Sequence, residues 1–238
     1  LRVALTVDLE EDAPPFLRSW RGMEEGLPRL LDVLEREGIR ATFFCTAEAA
    51  ERLSPGELEG HELGCHGLGH ERLDRLPAGE GRRRVREATE RMKKRGLRPL
   101  GFRAPNFRPT REVLEEVGRL GYLYDSSLAV YKLYPGLRLP DLPEFPNTLP
   151  SSVLRLPLPL SRRILRFCVR RLPLTVLDYH PWEAVRMEGV RWDLRFSTGE
   201  ASLRKLERLL GELRGMGAEF VTPGQILSST RRRKRKGW

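Results

Sequence analysis

A chain of 238 residues, 39% hydrophobic and 32% charged, has enough apolar material for one packed core and too little length for two enzyme domains. No stretch reaches the ~20 apolar residues of a membrane span, and no charged leader with an apolar run and a cleavage site opens it, so a cytoplasmic protein is expected. Of the net charge of +10, six units sit in the run Arg231-Arg232-Arg233-Lys234-Arg235-Lys236, so the excess belongs largely to a tail over 228–238, expected to be disordered and able at most to touch nucleic acid or an anionic membrane.

The chain alternates strand-like and helix-like segments. Leu1–Val7 reads as a first strand. Leu27, Leu30, Leu31 and Leu34 have helical spacing within 26–37, and Gly38 ends that helix. Ile39–Cys45 is β-branched and aromatic and predicts a second strand. A short helix over 47–53 precedes a strand over 62–65. A charged helix follows over 79–96, then a strand end at 101–103. Thr110 caps a helix that runs to Leu120, and a strand follows over 122–125. From 131 to 159 prolines cluster, which predicts an irregular excursion. A helix over 161–171, a strand over 174–179, an amphipathic helix over 202–216 and a last strand over 219–222 complete the series. Repeated β-then-α units predict a parallel sheet with helices outside, and about seven strands favour a closed or nearly closed barrel. No glycine-rich phosphate fingerprint follows the first strand, which weighs against nucleotide binding. The three cysteines, Cys45, Cys65 and Cys168, are too few for a disulfide framework and read as reduced thiols.

In such a barrel, functional groups gather at the C-terminal ends of the strands. Three of the four histidines, His66, His70 and His180, fall at such ends. His66 and His70 are four apart; on a helical turn both imidazoles would face one cation, and two histidines with a carboxylate suit zinc. The plain alternative is a pair of solvated or core histidines. Asp8 and Glu10, two apart on a continuing strand, share a face, so one could bind a metal while the other acts as base. Glu11 and Asp12 compete with Glu10 for the ligand role. Arg103, stiffened by Pro105, could hold a carboxylate ionised, although the chain is rich in arginine. His180, ahead of Pro181 and Trp182, could protonate a leaving amine or be a hydrogen-bonded core histidine. Trp182, Tyr131, Tyr134 and Trp192 could stack on a sugar ring or simply pack.

Together these segments resemble the polysaccharide deacetylase, or NodB-homology, superfamily (carbohydrate esterase 4-like). The resemblance rests on Thr6-Val7-Asp8-Leu9-Glu10-Glu11-Asp12, close to a D-x-E-D form of the opening motif, and on Gly38-Ile39-Arg40-Ala41-Thr42-Phe43-Phe44. It rests also on Gly60 through His66 with His70, on Phe102-Arg103-Ala104-Pro105-Asn106-Phe107, on Tyr124-Asp125-Ser126-Ser127, on His180-Pro181-Trp182-Glu183 and on Thr198-Gly199-Glu200. It implies a distorted (β/α)7 barrel as a catalytic domain over 1–227. It implies Asp8 as base, His180 as acid, Arg103 as the group orienting the base and Asp125 as a further catalytic residue. Glu10, His66 and His70 would hold a divalent metal, zinc first, with cobalt, nickel or iron as alternatives. Trp182, Tyr131 and Pro105 would meet a carbohydrate or small amide substrate. Gly67 departs from the Ser or Thr usual after the first metal histidine, so a loop-stabilising hydrogen bond would be missing. The implied reaction removes an N-acyl group from a sugar. The competing readings are a metal-independent cyclic amide or imide hydrolase, against which both retained histidines argue, and a non-catalytic binder of nucleic acid or anionic lipid. The substrate and the oligomeric state are not legible.

Overall fold

The computed structural model describes residues 1–235. Seven parallel strands, β1 (Arg2–Leu9), β2 (Thr42–Cys45), β3 (Glu62–Cys65), β4 (Gly101–Phe102), β5 (Tyr124–Asp125), β6 (Thr175–Tyr179) and β7 (Glu219–Phe220), make one curled sheet in the order β5-β4-β3-β2-β1-β6, with β7 paired to the start of β1. Nine helices accompany them among the described residues: α1 (Leu27–Arg36), α2 (Ala47–Ala50), α3 (Glu80–Lys94), α4 (Arg111–Arg119), α5 (Ser151–Arg155), α6 (Leu158–Arg171), α7 (Trp192–Arg195), α8 (Glu200–Gly215) and α9 (Pro223–Arg235). This is the expected distorted barrel. Its ring is completed between β5 and β6 by the proline-rich excursion, through single parallel bridges Asp125 to Glu144, Ala129 to Asn147 and Leu149 to Leu177. No helix among the described residues is long and apolar enough to cross a membrane.

Period-2 alternation sorts the strand residues. On β1, Leu5, Val7 and Leu9 face the outer layer and join one core with Leu27, Leu30, Val33 and Leu34 of α1 and with Leu203, Leu206, Leu209, Leu210 and Leu213 of α8. Each such leucine contributes roughly 1.5–3 kcal/mol by leaving water. The other phase faces the barrel interior and is polar: Thr6 Oγ1 donates to the Leu177 carbonyl, and the buried Glu62 accepts from Tyr124 Oη at 2.7 Å and Thr222 Oγ1 at 2.6 Å. Two interior glycines make room for rings. A Cβ at Gly64 would lie 2.4 Å from Phe44 Cδ1, and one at Gly101 would lie 2.1 Å from Tyr124 Cζ.

Several expectations shift. β1 extends two residues past Val7, carrying Asp8 into the strand. α5, α7 and α9 were not anticipated; α5 lies inside the segment expected to be irregular. α9 starts at Pro223, a residue suited to a first helical turn, and stays helical to Arg235, beyond the boundary expected at 227. Of the expected tail, residues 236–238 lie outside the described residues.

Candidate active site

The mouth of the barrel opens into a cleft of about 440 Å³, lined in part by Asp8, Glu10, His66, His70, Asp178 and His180. β1 delivers Asp8 and, one step beyond its end, Glu10 on the same face. β2 registers Phe44 against Asp8, and β3 registers Cys65 against Cys45, so His66 emerges beside the two acids. Glu10 Oε2 lies 2.9 Å from His70 Nε2 and 3.4 Å from His66 Nε2; Asp8 Oδ2 lies 3.7 Å from His66 Nε2. One ligand atom from each of Glu10, His66 and His70 falls within 4.8 Å of the other two. Glu10 Oε2 is buried yet makes no directed hydrogen bond, although a buried carboxylate oxygen ordinarily has a partner. Burial pushes the Glu10 carboxyl up, but the surrounding His70, His66 and His180 outweigh it and hold it well below the usual range. His66 Nδ1 donates to the Arg103 carbonyl at 2.8 Å, which turns Nε2 toward the acids, as a second-shell partner does for a ligating imidazole. Buried donors of this kind, two nitrogens and an oxygen, fit a divalent cation.

The two histidines do not meet by helical spacing. Residues 66–70 form a loop with Gly67 at φ +86° and His70 at φ +62°. A side chain at Gly67 would be strained at that φ and would meet Pro105 at contact distance, 3.4 Å. Backbone bonds from Ala47 and Glu48 to the Gly67 and Leu68 carbonyls tie the loop to α2. Of the competing acids, Asp12 turns away: its carboxylate accepts from Ser19 Oγ at 2.6 Å and from the backbone N–H groups of Arg21 and Gly22 at 2.9 and 2.8 Å, fastening the loop before α1. Burial still raises the Asp12 carboxyl above its ordinary value.

Arg103 is fully buried. Its Nη1 donates to Asp8 Oδ1 at 2.7 Å and to Thr6 Oγ1 at 2.9 Å, its Nη2 donates to Ser126 Oγ at 2.9 Å, and Phe44 lies 4.2 Å beneath its guanidinium carbon. His180 Nδ1 donates to Glu183 Oε1 at 2.9 Å, and Arg155 Nε lies 2.7 Å from Glu183 Oε2, both partners buried. His180 Nε2 points back at Asp8 Oδ2, 4.0 Å away, and Glu10 Oε1, 3.7 Å away. Burial favours neutral His180, but Glu183, Glu10 and Asp8 push it up to about 10. Trp182 stacks on the His180 ring with centroids 5.1 Å apart.

Asp125, Pro105 and Tyr131 do not line the cleft. Asp125 is buried in β5, where its Oδ1 accepts from Ser127 Oγ at 2.6 Å; that hydroxyl in turn accepts from Ala104 N at 2.8 Å, which ties Asp125 to the segment after Arg103. Pro105 packs on the Gly67 loop, and Asn106 and Phe107 take its expected place in the lining. Tyr131 Oη accepts from Asn147 Nδ2, which also donates to Asp178 Oδ1 at 2.8 Å. Arg155 and Lys132 join the lining without having been singled out in the sequence, whereas Asp178 and Glu183 belong to the same strand-end stretch as His180. Asp178 and Glu183 carried a signal, since they sit two residues before and three after His180 near the end of an apolar strand; Arg155 and Lys132 carried none. Burial pushes Asp178 up to about 6.

A family model described as polysaccharide deacetylase matches residues 2–124. The chain belongs to that family. It is 33% identical over 112 residues to a peptidoglycan deacetylase-like protein of Gibberella zeae, covering 44% of this chain and 33% of that protein. It is 30% identical over 126 residues to a peptidoglycan deacetylase of Helicobacter pylori, covering 50% of this chain and 42% of that one. The chain therefore spans less than half the length of these curated relatives. A solved peptidoglycan N-acetylglucosamine deacetylase superposes with a TM-score of 0.62 at 20% identity, over 94% of this chain and 87% of that one, a likeness of fold.

Proposed function

We propose that this polysaccharide deacetylase-family chain is a metal-dependent hydrolase that removes an N-acyl group, N-acetyl first, from an amino sugar in a glycan. The observation that carries the reading is the convergence of Glu10, His66 and His70 on one point beside Asp8. Glu10, His66 and His70 would hold the divalent ion, zinc first and cobalt, nickel or iron after it. That ion would supply Lewis acidity to the acyl oxygen and to the attacking water. Asp8 takes the proton of the attacking water on Oδ2, because Oδ1 is occupied by Arg103. Arg103, fixed by Thr6 and Ser126, keeps Asp8 aimed. His180 gives its Nε2 proton to the departing amine while Glu183, neutralised by Arg155, holds the ring. The water oxygen ends on the acyl carbon as a carboxylic acid, and the C–N bond breaks to leave the free amine. Trp182, Lys132 and Asn106 are the groups available to the sugar. The Asp8-Leu9-Glu10 opening is the feature that would place the chain in a D-x-E-D subgroup of the family.

The test is elemental analysis of the purified chain together with acetate release from N-acetylglucosamine oligomers after loading with zinc, cobalt, nickel or iron. About one ion per chain and metal-dependent acetate release are expected; equal turnover after exhaustive chelation would overturn the proposal.

A further inference from the structure

Helix α6 presents a surface that plays no part in the cleft. Its sequence, Leu158 to Arg171, contains five arginines and no acid. Ser161, Leu165 and Val169 turn inward and are buried. The opposite face carries Leu160, 46% exposed, and Phe167, 63% exposed, seven residues apart and so two turns apart on one line. Arg163, Arg166 and Arg170 flank that line on one side and Arg171 on the other, its guanidinium carbon 5.6 Å from the Phe167 ring centre. A shallow depression lined by Arg162, Arg163, Arg166, Phe167, Arg170 and Arg171 runs along the helix. Glu212 of α8 pairs with Arg162 and Arg166; Arg163, Arg170 and Arg171 have no acidic partner among the described residues.

We propose that this face of α6 is a peripheral docking surface for an anionic lipid bilayer. An apolar ridge bordered by arginines is the pattern of a helix lying in a membrane interface: the ridge enters the acyl boundary and the cations sit among the phosphates. The exposed leucine separates this reading from nucleic acid, whose backbone offers phosphates but nothing for an aliphatic side chain to enter. A second copy of the same face would bring like charges together. The short α5, whose Ser151, Ser152 and Arg155 line the cleft, leads into α6 through Leu156 and Pro157, so docking would bring the cleft near the bilayer. The inference needs no catalytic activity.

The experiment is co-sedimentation of the full chain with phosphatidylcholine vesicles, with and without phosphatidylglycerol, at several salt concentrations. Binding is expected only to the anionic vesicles, falling with salt. R163Q/R170Q/R171Q is expected to weaken it by about a hundredfold, each arginine near the surface being worth about 1 kcal/mol. L160S/F167S, with every charge kept, is expected to weaken it several-fold. Both variants change exposed side chains, and circular dichroism checks that they fold. No binding to anionic vesicles overturns the proposal. So does binding that survives both variants and disappears when residues 231–238 are deleted, which would assign it to the tail. Equal affinity for duplex DNA, indifferent to L160S/F167S, assigns the face to nucleic acid and also overturns it.

Discussion

On one side of the cleft β1, β2 and β3 run as an unbroken parallel ladder, from Thr6 beside Thr42 up to Glu10 and His66. On the other side β5 and β6 are not paired with each other, and the excursion links them by single bridges at Glu144, Asn147 and Leu149. The ladder places side chains by register: once Asp8 faces inward, Glu10 must also. The second wall places them by side-chain contacts between distant segments, Asn147 to Asp178 and Arg155 to Glu183 among them. Regular backbone thus positions Asp8, Glu10 and His66, a loop adds His70, and buried charge pairs position His180 and the cleft's far wall.

The largest expected effects fall on the ladder. Asp8→Asn should keep bound metal and lower acetate release by about 10²–10⁴-fold; His66→Ala should lose both. Steady-state kinetics with metal analysis checks the pair, and an Asp8→Asn chain at full rate would sink the division of labour. On the second wall, Arg155→Ala takes from the fully buried Glu183 one of its two cationic partners, leaving His180. A loss of roughly 3–5 kcal/mol is expected in urea unfolding, as for other broken buried pairs; a loss under about 1 kcal/mol would mean that this wall does not depend on charge pairing.

A subtler contrast lies in the joint between β5 and the excursion. Glu144 is bridged to Asp125 along the backbone, and burial with the nearby Asp125 charge raises the Glu144 carboxyl far above its ordinary value. A folded-state value above the unfolded one means that the native chain holds the extra proton. Its stabilising contribution is complete below the unfolded value of 4.5 and is lost as pH rises toward the folded value of about 10. Over that window stability should decline as pH rises. Glu144→Gln keeps an acceptor for Leu128 N and supplies a permanent donor for Asp125, so urea midpoints between pH 5 and 9 should flatten. An unchanged slope would place the extra proton elsewhere. The smallest effect returns to the regular wall: Thr46 caps α2 by accepting from Ala49 N at 3.1 Å. Thr46→Ala should cost about 1 kcal/mol in thermal or urea melts with metal affinity unchanged.

The legibility of the chain follows the same division. The strand order, the longer internal helices, the parallel sheet and the grouping of Asp8, Glu10, His66, His70, Arg103 and His180 are legible in the sequence because periodicity and strand ends are local properties. Even so, the sequence reading brought His66 and His70 together through a helical turn, whereas a glycine-dependent loop does it. Asp125 was placed in the site by its motif and lies behind it, since which strand residue reaches a cleft depends on how far the strand extends.

By itself, the sequence determined the alternation that makes the barrel and the choice of acids and imidazoles at its mouth, because side-chain phase along a strand needs no partner. Tertiary structure alone decided that Glu10 rather than Asp12 faces the imidazoles, that Arg155 and Glu183 brace His180, and that the proline-rich excursion closes the ring. Each of those outcomes depends on contacts between segments far apart in the chain, whose geometry exists only after the core has packed.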